Sequence, residues 1–245
     1  MNNFQTRIHR ISKNKGKIIL ANDYSNTEKN LGKKTIKNIK TLNKFLCGIK
    51  FNFHLLLPLG LKEITNINKI AHKYGLVTIA DIKLNDIGNT NDVTLEYLWK
   101  ADFDAVIVNP IMGHVALKKL VFSAHKKNKG VITLCHMSAP EAKTSYEMQI
   151  KLKKSKTIPL YQLFLKSAIS NKVDGIIVGA TYPEIIKFCN TKIKNMNIYS
   201  PGIGTQGGNI QEVLDAGSDF LIIGRTILKS KNPVYLAEKF QKLSF

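Results

Sequence analysis

The chain has 245 residues, 44% of them hydrophobic and 22% charged, enough to bury one large core or two small ones and unlike a peptide-sized scaffold or a disordered tail. Its 37 basic residues exceed the 17 acidic ones by 20, which raises the question of an anionic partner such as nucleic acid, a membrane surface or a phosphorylated metabolite. No stretch approaches the roughly 20 uninterrupted apolar residues of a membrane-spanning helix, and Met1 to Lys15 lacks the apolar run of a secretory signal. These features predict a soluble, cytoplasmic protein with no membrane partner.

In chain order, Met1 to Lys15 is left open between an amphipathic helix closing one end of the fold and a basic tail. Short runs rich in Ile, Val and Leu then recur at Lys17–Asp23, Leu46–Phe51, Leu76–Asp81, Ala105–Asn109, Gly130–Leu134, Gly175–Val178, Asn197–Ser200 and Phe220–Ile223. Each predicts a strand. Between them lies helical spacing: Ile64, Ile67, Ile70 and Ala71 within Leu61–Tyr74, then Leu117, Leu120, Val121 and Ala124 within Val115–Lys127. Pro140–Ile158, polar and lysine-rich, predicts a long irregular connection, and Pro159–Ser170 a helix. Continuously apolar strands are buried on both faces, as parallel strands covered by helices are. Eight strand and helix units in a chain of this length predict an α/β fold, a single-domain (β/α)8 TIM barrel over residues 1–245, with 1–15 as a candidate N-terminal extension.

Cys47, Cys135 and Cys189 are odd in number and far apart, which suggests buried thiols rather than disulfides or a thiolate metal site. The lysines are spread over Lys29–Lys44, Lys118–Lys119, Lys126–Lys129 and Lys151–Lys156 without interleaved aromatics, so they read as solvated surface and no nucleic-acid partner is expected.

In a parallel barrel the chemistry collects at the carboxyl ends of the strands. The first run here ends in Asp23, the second in Lys50, and the third in Asp81 with Lys83 two residues on and Asp86 close behind. The fifth leads to His136 and Ser138, the seventh to Pro201–Gln206, and the eighth to Gly224 and Arg225. On an extended segment Asp81 and Lys83 share a face, where a carboxylate holds an ammonium charged and in place, as a general-acid lysine requires. The glycines of Ser200-Pro201-Gly202-Ile203-Gly204-Thr205-Gln206-Gly207-Gly208 permit close backbone approach, and this loop runs into a predicted helix whose N-terminal amides could hold an anion. Arg225 adds a guanidinium fork suited to phosphate. His54, His114 and His136 show no ligand spacing, so no metal site is expected.

With these residues in place, the chain resembles the orotidine 5′-phosphate decarboxylases from Ile18 to Pro233. The segment Asp81-Ile82-Lys83-Leu84-Asn85-Asp86-Ile87-Gly88-Asn89-Thr90 is similar to that family's Asp-x-Lys-x-x-Asp-Ile-x-x-Thr signature. Leu20–Asp23, Gly48–Lys50, Met137-Ser138, Val178–Thr181, Ser200–Gly208 and Gly224-Arg225 support it in the order and spacing of the compact microbial and archaeal form. The resemblance implies metal-free and cofactor-free decarboxylation of orotidine 5′-phosphate to UMP. Lys83 would protonate C6, Asp81 would sit against the departing carboxylate, and Lys50 and Asp86 would complete the charged array. It further implies a homodimer in which Asp86, Ile87 and Thr90 act across the interface. Asp23 and Lys50 would hold ribose hydroxyls and Ser138 the pyrimidine. Pro201, Gly202, Gly204, Gln206, Gly207, Gly208, Gly224 and Arg225 would form the phosphate side. Three departures stand out: Ala139-Pro140-Glu141 after the Met-Ser pair, Gly88 in place of a common proline, and Asn52-Phe53-His54 after Lys50.

Two alternatives remain. Magnesium-dependent sugar-phosphate decarboxylases and hexulose-phosphate synthases share the barrel and the Asp-x-Lys-x-x-Asp signature, but by resemblance carry a glutamate ligand where Lys50 stands, and an ammonium repels a divalent cation. A non-catalytic, anion-binding or nucleic-acid-binding barrel would have no use for carboxylates beside its lysines.

Overall fold

The computed structural model describes residues 3–25, 27–152 and 156–245. Residues 1, 2 and 153–155, which belong to the predicted extension and the predicted irregular connection, lie outside the described residues. The strands, in chain order, are β1 (Ile18–Ala21), β2 (Gly48–Asn52), β3 (Val77–Leu84), β4 (Ala105–Val108), β5 (Gly130–His136), β6 (Gln149–Lys151), β7 (Thr157–Pro159), β8 (Gly175–Val178), β9 (Asn197–Pro201) and β10 (Phe220–Ile223). Eight of them close into a parallel barrel in the order β1-β10-β9-β8-β5-β4-β3-β2. The predicted (β/α)8 barrel is therefore the observed architecture. β1, β4, β8 and β10 are buried at every position, which explains why they read as unbroken apolar runs.

The outer layer comprises α2 (Leu31–Leu42), α3 (Phe53–Leu56), α4 (Leu61–Lys73), α5 (Gly88–Lys100), α6 (His114–Lys126), α8 (Leu160–Asn171), α9 (Pro183–Asn190), α10 (Ile210–Asp215), α11 (Arg225–Leu228) and α12 (Pro233–Leu243), with α1 (Phe4–Lys15) and α7 (Ala142–Ser145) outside the strand and helix alternation. Ile64, Ile67 and Ala71 of α4, and Leu117, Leu120, Val121 and Ala124 of α6, are buried as their spacing predicts. Pro140–Ile158 is a correction. Instead of one irregular connection it carries α7 and a two-stranded antiparallel sheet in which Ile150 pairs with Ile158. Each of these strands has three residues, and of the six only Ile158 is buried, so they lacked the apolar signature that marked the barrel strands.

Met1 to Lys15 resolves in favour of the helix over the residues described. Asn3 caps α1 by accepting from the Thr6 amide at 2.9 Å, and Phe4, Ile8 and Ser12 share its buried face at helical spacing. The Phe4 ring occupies the space where a Cβ on Gly130, the first residue of β5, would lie. Arg7 pairs with Asp104 at 3.0 Å and donates to the Asn128 carbonyl at 3.0 Å, Gln5 donates to the Asp174 carbonyl at 3.0 Å, and His9 meets Asn197 at 2.9 Å. These partners precede or begin β4, β5, β8 and β9, so α1 covers the amino-terminal end of the barrel and leaves the opposite end open for chemistry.

The covered end uses one device three times. Asp104, Asp174 and Asp219 each stand immediately before a strand, and each accepts the amide of a neighbouring strand: Thr78 at 2.9 Å, Val131 at 2.8 Å and Ile198 at 2.8 Å. Imidazoles from the ends of α4 and α6 brace two of them, His72 on Asp104 at 2.8 Å and His125 on Asp174 at 2.9 Å. Burial opposes the charge on Asp104, but the His72 hydrogen bond and charge outweigh it and hold that carboxyl below the ordinary carboxylate range.

Phe4 is fully buried, so Phe4→Ala is expected to destabilise the protein by about 3–5 kcal/mol. Urea unfolding would measure this, and a loss below about 1 kcal/mol would mean that α1 is not part of the cooperative core.

Candidate active site

The carboxyl ends of the strands surround a cavity lined by Asp23, Lys50, Asn52, Asp81, Lys83, Ser138, Pro201, Gly202, Thr205, Gln206, Gly224, Arg225 and Thr226, with an apolar floor of Ala21, Ile107, Leu134, Ile177 and Ile222. Asp81 is its electrostatic centre. One carboxylate oxygen accepts from Lys50 Nζ at 2.7 Å, the other from Lys83 Nζ at 2.8 Å. Burial alone would raise the Asp81 carboxyl, but the charges and hydrogen bonds of Lys50 and then Lys83 outweigh it and hold the group below the usual range. The two lysines differ in exposure: the Lys50 side chain is 5% accessible and that of Lys83 45%. Lys83 is therefore the more open of the two lysines, while Lys50 meets the cavity from within its wall.

The backbone makes this asymmetry. Asp81 pairs in register with Ile107, whereas the next partner of β4 is Leu84, so Ile82 and Lys83 form a bulge. Lys83 sits at φ 48° in the left-handed region, which costs an L-residue of order 1–3 kcal/mol and is concentrated at functional sites. The expectation of two residues on one face of a regular extended segment is thus corrected: a bulge, not strand alternation, turns Lys83 toward Asp81. Lys50 is the third residue of β2 rather than its end, and Asn52 closes that strand. The Asn52 amide bridges its neighbours, accepting from Lys50 and donating to Asp23. Strand-end reasoning did not single out Asn52; its spacing two residues after Lys50 was the available signal.

On the opposite wall, Ser138 Oγ donates to Gln206 Oε1 at 3.0 Å. The loop after β5 reaches this position because Gly179 has no side chain: a Cβ there would lie 2.5 Å from Ser138 Cα. Thr181 then holds the Ser138 carbonyl at 3.0 Å. Gly202, at φ 102°, clears both Ser138 and Gln206. Thr226 ties the loops after β9 and β10 together, donating to the Ile203 carbonyl at 2.8 Å and accepting from the Thr205 amide at 3.0 Å. Gly224 is required by proximity to the first strand and the residues after it, since a Cβ there would lie 2.9 Å from the Ala21 carbonyl oxygen and 2.9 Å from Asp23 Oδ2.

Several sequence candidates lie elsewhere. Gly204, Gly207 and Gly208 shape the loop through mutual backbone hydrogen bonds, including Gly204 to Gly208 at 2.9 Å, but are not among the described residues lining the cavity. The predicted anion-holding helix after this loop is also corrected. The first amides of α10 are taken by the Asn209 side chain, and the cavity is lined instead by Gly224, Arg225 and Thr226 at the start of α11. Asp86, Ile87 and Thr90 are exposed at the start of α5, outside the cavity wall described. Asn91 clamps that turn by bonding the Asp86 amide at 3.1 Å and its carbonyl at 2.6 Å. His136 is a packed core residue, against Tyr182 with ring centroids 4.4 Å apart, and all three cysteines are buried thiols.

Residues 16–240 match the family model described as Orotidine 5′-phosphate decarboxylase / HUMPS family. The chain is 32% identical over 217 residues to the orotidine 5′-phosphate decarboxylase of Methanosarcina mazei, covering 88% of this chain and 89% of that protein. It is 33% identical over 223 residues to that of Pyrococcus furiosus, covering 91% and 94%. The crystal structure of orotidine 5′-monophosphate decarboxylase from Methanocaldococcus jannaschii complexed with inhibitor BMP is similar at a TM-score of 0.76 and 28% identity, over 94% of this chain and 98% of that one. A Toxoplasma gondii structure at TM-score 0.86, 18% identity and coverage of 98% and 94% shares the fold.

A carboxyl whose pKa is lower in the folded chain stabilises the fold above its unfolded value, near about 3.9, and that contribution is lost as pH falls through the folded value. Asp81 is such a group. Asp81→Asn is therefore expected to cost about 3–5 kcal/mol near neutral pH, where buried Lys50 loses its counter-charge, and the gap to wild type should close in acid. Urea unfolding from about pH 7 to about pH 2 tests this, and a gap that stays constant with pH would overturn it.

Proposed function

The chain belongs to the orotidine 5′-phosphate decarboxylase / HUMPS family, and from that premise we propose that it is a carboxy-lyase converting orotidine 5′-phosphate to UMP in pyrimidine biosynthesis. The observation that carries this reading is Asp81 held between Lys50 and Lys83 at the mouth of the barrel.

Decarboxylation breaks the bond between C6 of the pyrimidine and its carboxylate, leaving the electron pair on C6 as carbon dioxide departs. A preorganised ammonium stabilises that developing charge and then quenches it. Lys83 has the required placement, held by Asp81 and partly exposed to the cavity. It donates the proton to C6 and regains one from solvent. Asp81 faces the departing carboxylate, and Lys50 keeps Asp81 ionised. Asp23 and Lys50 hold ribose hydroxyls, Ser138 meets the pyrimidine, and Gln206, Gly224 and Arg225 take the phosphate, with the Ser138–Gln206 hydrogen bond linking the base and phosphate sides. Binding energy from the remote phosphate orders these loops around the reacting carbon.

The magnesium-dependent alternative fits this site poorly. Both oxygens of Asp81 accept from ammonium groups, so a divalent cation would have to displace two lysines and bear their repulsion. A nucleic-acid-binding barrel leaves the buried Asp81 without a purpose.

The working form in this reading is a homodimer of single-domain barrels in the cytoplasm. Asp86, Ile87 and Thr90 lie outside their own cavity, and the connections after β3 and β4 carry exposed apolar side chains, Ile87 at 73%, Tyr97 at 55% and Val115 at 80%. Apolar side chains exposed on these two connections favour burial against a second copy, which would bring Asp86 and Thr90 into the partner's cavity. Among the described residues, no helix is long and apolar enough to cross a membrane.

Loss of substrate ultraviolet absorbance with purified protein and excess chelator tests the reaction. Turnover that persists with chelator and falls by about 10⁴-fold or more in Lys83→Ala is expected; no turnover, or turnover restored by magnesium, would sink the assignment. Mixing the inactive Lys83→Ala and Asp86→Ala proteins should restore up to about a quarter of wild-type activity, through mixed dimers holding one intact site. Failure of the mixture to recover activity, with subunit exchange verified, would place Asp86 in its own chain's function.

A further inference from the structure

Asn52 follows Lys50 by two residues on β2, so the pleat returns its side chain to the cavity side. There it bonds two charged groups of opposite sign. Its Oδ1 accepts from Lys50 Nζ, and its Nδ2 donates to Asp23 Oδ1. A side-chain amide has one accepting end and one donating end in a fixed plane. Reversing it would set the amino group against the ammonium and the oxygen against the carboxylate, so the charges on both sides fix its orientation. The second oxygen of Asp23 occupies space that Gly224 leaves open, 2.9 Å from where a Cβ would lie, so the Asn52 amide is the side-chain hydrogen bond that holds the carboxylate among the described residues.

We propose that Asn52 is a positioning residue for ribose recognition: it bridges Asp23 and Lys50 and holds both in the orientation that receives the ribose hydroxyls. This rests on the decarboxylase reading, and in particular on the assignment of Asp23 and Lys50 to the ribose. The bridge is neutral, which suits the site. A carboxylate at this position would face Asp23 and compete with Asp81 for Lys50, and a cation would repel Lys50. The amide serves both neighbours without changing the net charge of the Lys50–Asp81–Lys83 array. Ordering Asp23 and Lys50 in the free protein removes that cost from ligand binding, so the benefit is confined to ligands that carry ribose hydroxyls.

Two variants and two nucleotides test the proposal. Asn52→Ala removes the bridge; Asn52→Leu keeps its approximate shape and the net charge but can neither donate nor accept. Calorimetric affinities are measured for UMP and 2′,3′-dideoxy-UMP, alongside thermal unfolding and wild-type turnover of orotidine 5′-phosphate. Both variants should bind UMP about tenfold more weakly or worse, while their affinity for the dideoxy nucleotide stays within about twofold of wild type. Equal weakening for both nucleotides would assign Asn52 a general structural role, and unchanged UMP affinity would remove it from ribose recognition; either result overturns the proposal while wild-type turnover keeps the decarboxylase reading intact. A wild-type protein that neither turns over the substrate nor binds UMP would overturn both. If Asn52→Ala fails to fold, the near-isosteric, uncharged Asn52→Leu decides by the same two affinities.

Discussion

Asp81 is a buried carboxylate that two ammonium groups share, one on each oxygen. A charge taken out of water is costly unless it is paired and hydrogen-bonded, so Asp81 and Lys50 can occupy the barrel mouth only together. Lys83 completes the set from a different backbone geometry, and its partial exposure separates it from Lys50 in what it can do. The inner lysine neutralises a buried charge and meets the cavity only from its wall; the outer one stands further into the open space. Much of the remaining architecture serves to keep this triad in place and the space above it open.

The closed barrel supplies the frame. Ala21 pairs with Lys50, and Asn52 with Asp81, so the parallel register itself sets Asp23, Lys50, Asn52 and Asp81 side by side across three strands. The bulge after Asp81 then brings Lys83 back over the carboxylate at a cost in backbone strain. Across the cavity, removal of side chains does the equivalent work. Gly179 admits the Ser138 backbone, Gly202 clears Ser138 and Gln206, and Gly224 makes room for Asp23. One wall is made by charges brought together, the other by side chains left out.

The amino-terminal end carries the stability that a polar, strained mouth lacks. Asp104, Asp174 and Asp219 tie adjacent strands through backbone amides, and α1 seals the end with Phe4, Ile8 and Arg7. This division is characteristic of the fold, in which residues at one end of the strands hold the barrel and those at the other perform its chemistry. It also explains the two kinds of buried ionic groups in the chain. At the closed end a carboxylate is satisfied by amides and imidazoles within the protein, whereas at the open end Asp81 is satisfied by lysines that also face the cavity.

The sequence alone determined the barrel, because eight apolar runs alternating with amphipathic segments leave few other ways to bury their faces. It also determined most of the wall: Asp23, Lys50, Asp81, Lys83, Ser138, Gln206 and Arg225 were legible as polar residues at or just beyond strand ends. What tertiary structure decided was how these groups meet. The bulge at Lys83 depends on hydrogen-bond register with β4, and the Asn52 bridge on where β1 brings Asp23. The Thr226 tie depends on two loops far apart in the chain, and the choice of α11 over α10 beside the cavity on an asparagine cap that consumes the amides of α10. The β6–β7 sheet was hidden because strands of three residues with one buried side chain between them are too short to show apolar periodicity. Periodicity records which faces are buried, a property local to each segment; the contacts that aim a side chain arise between segments, and only the folded chain sets them.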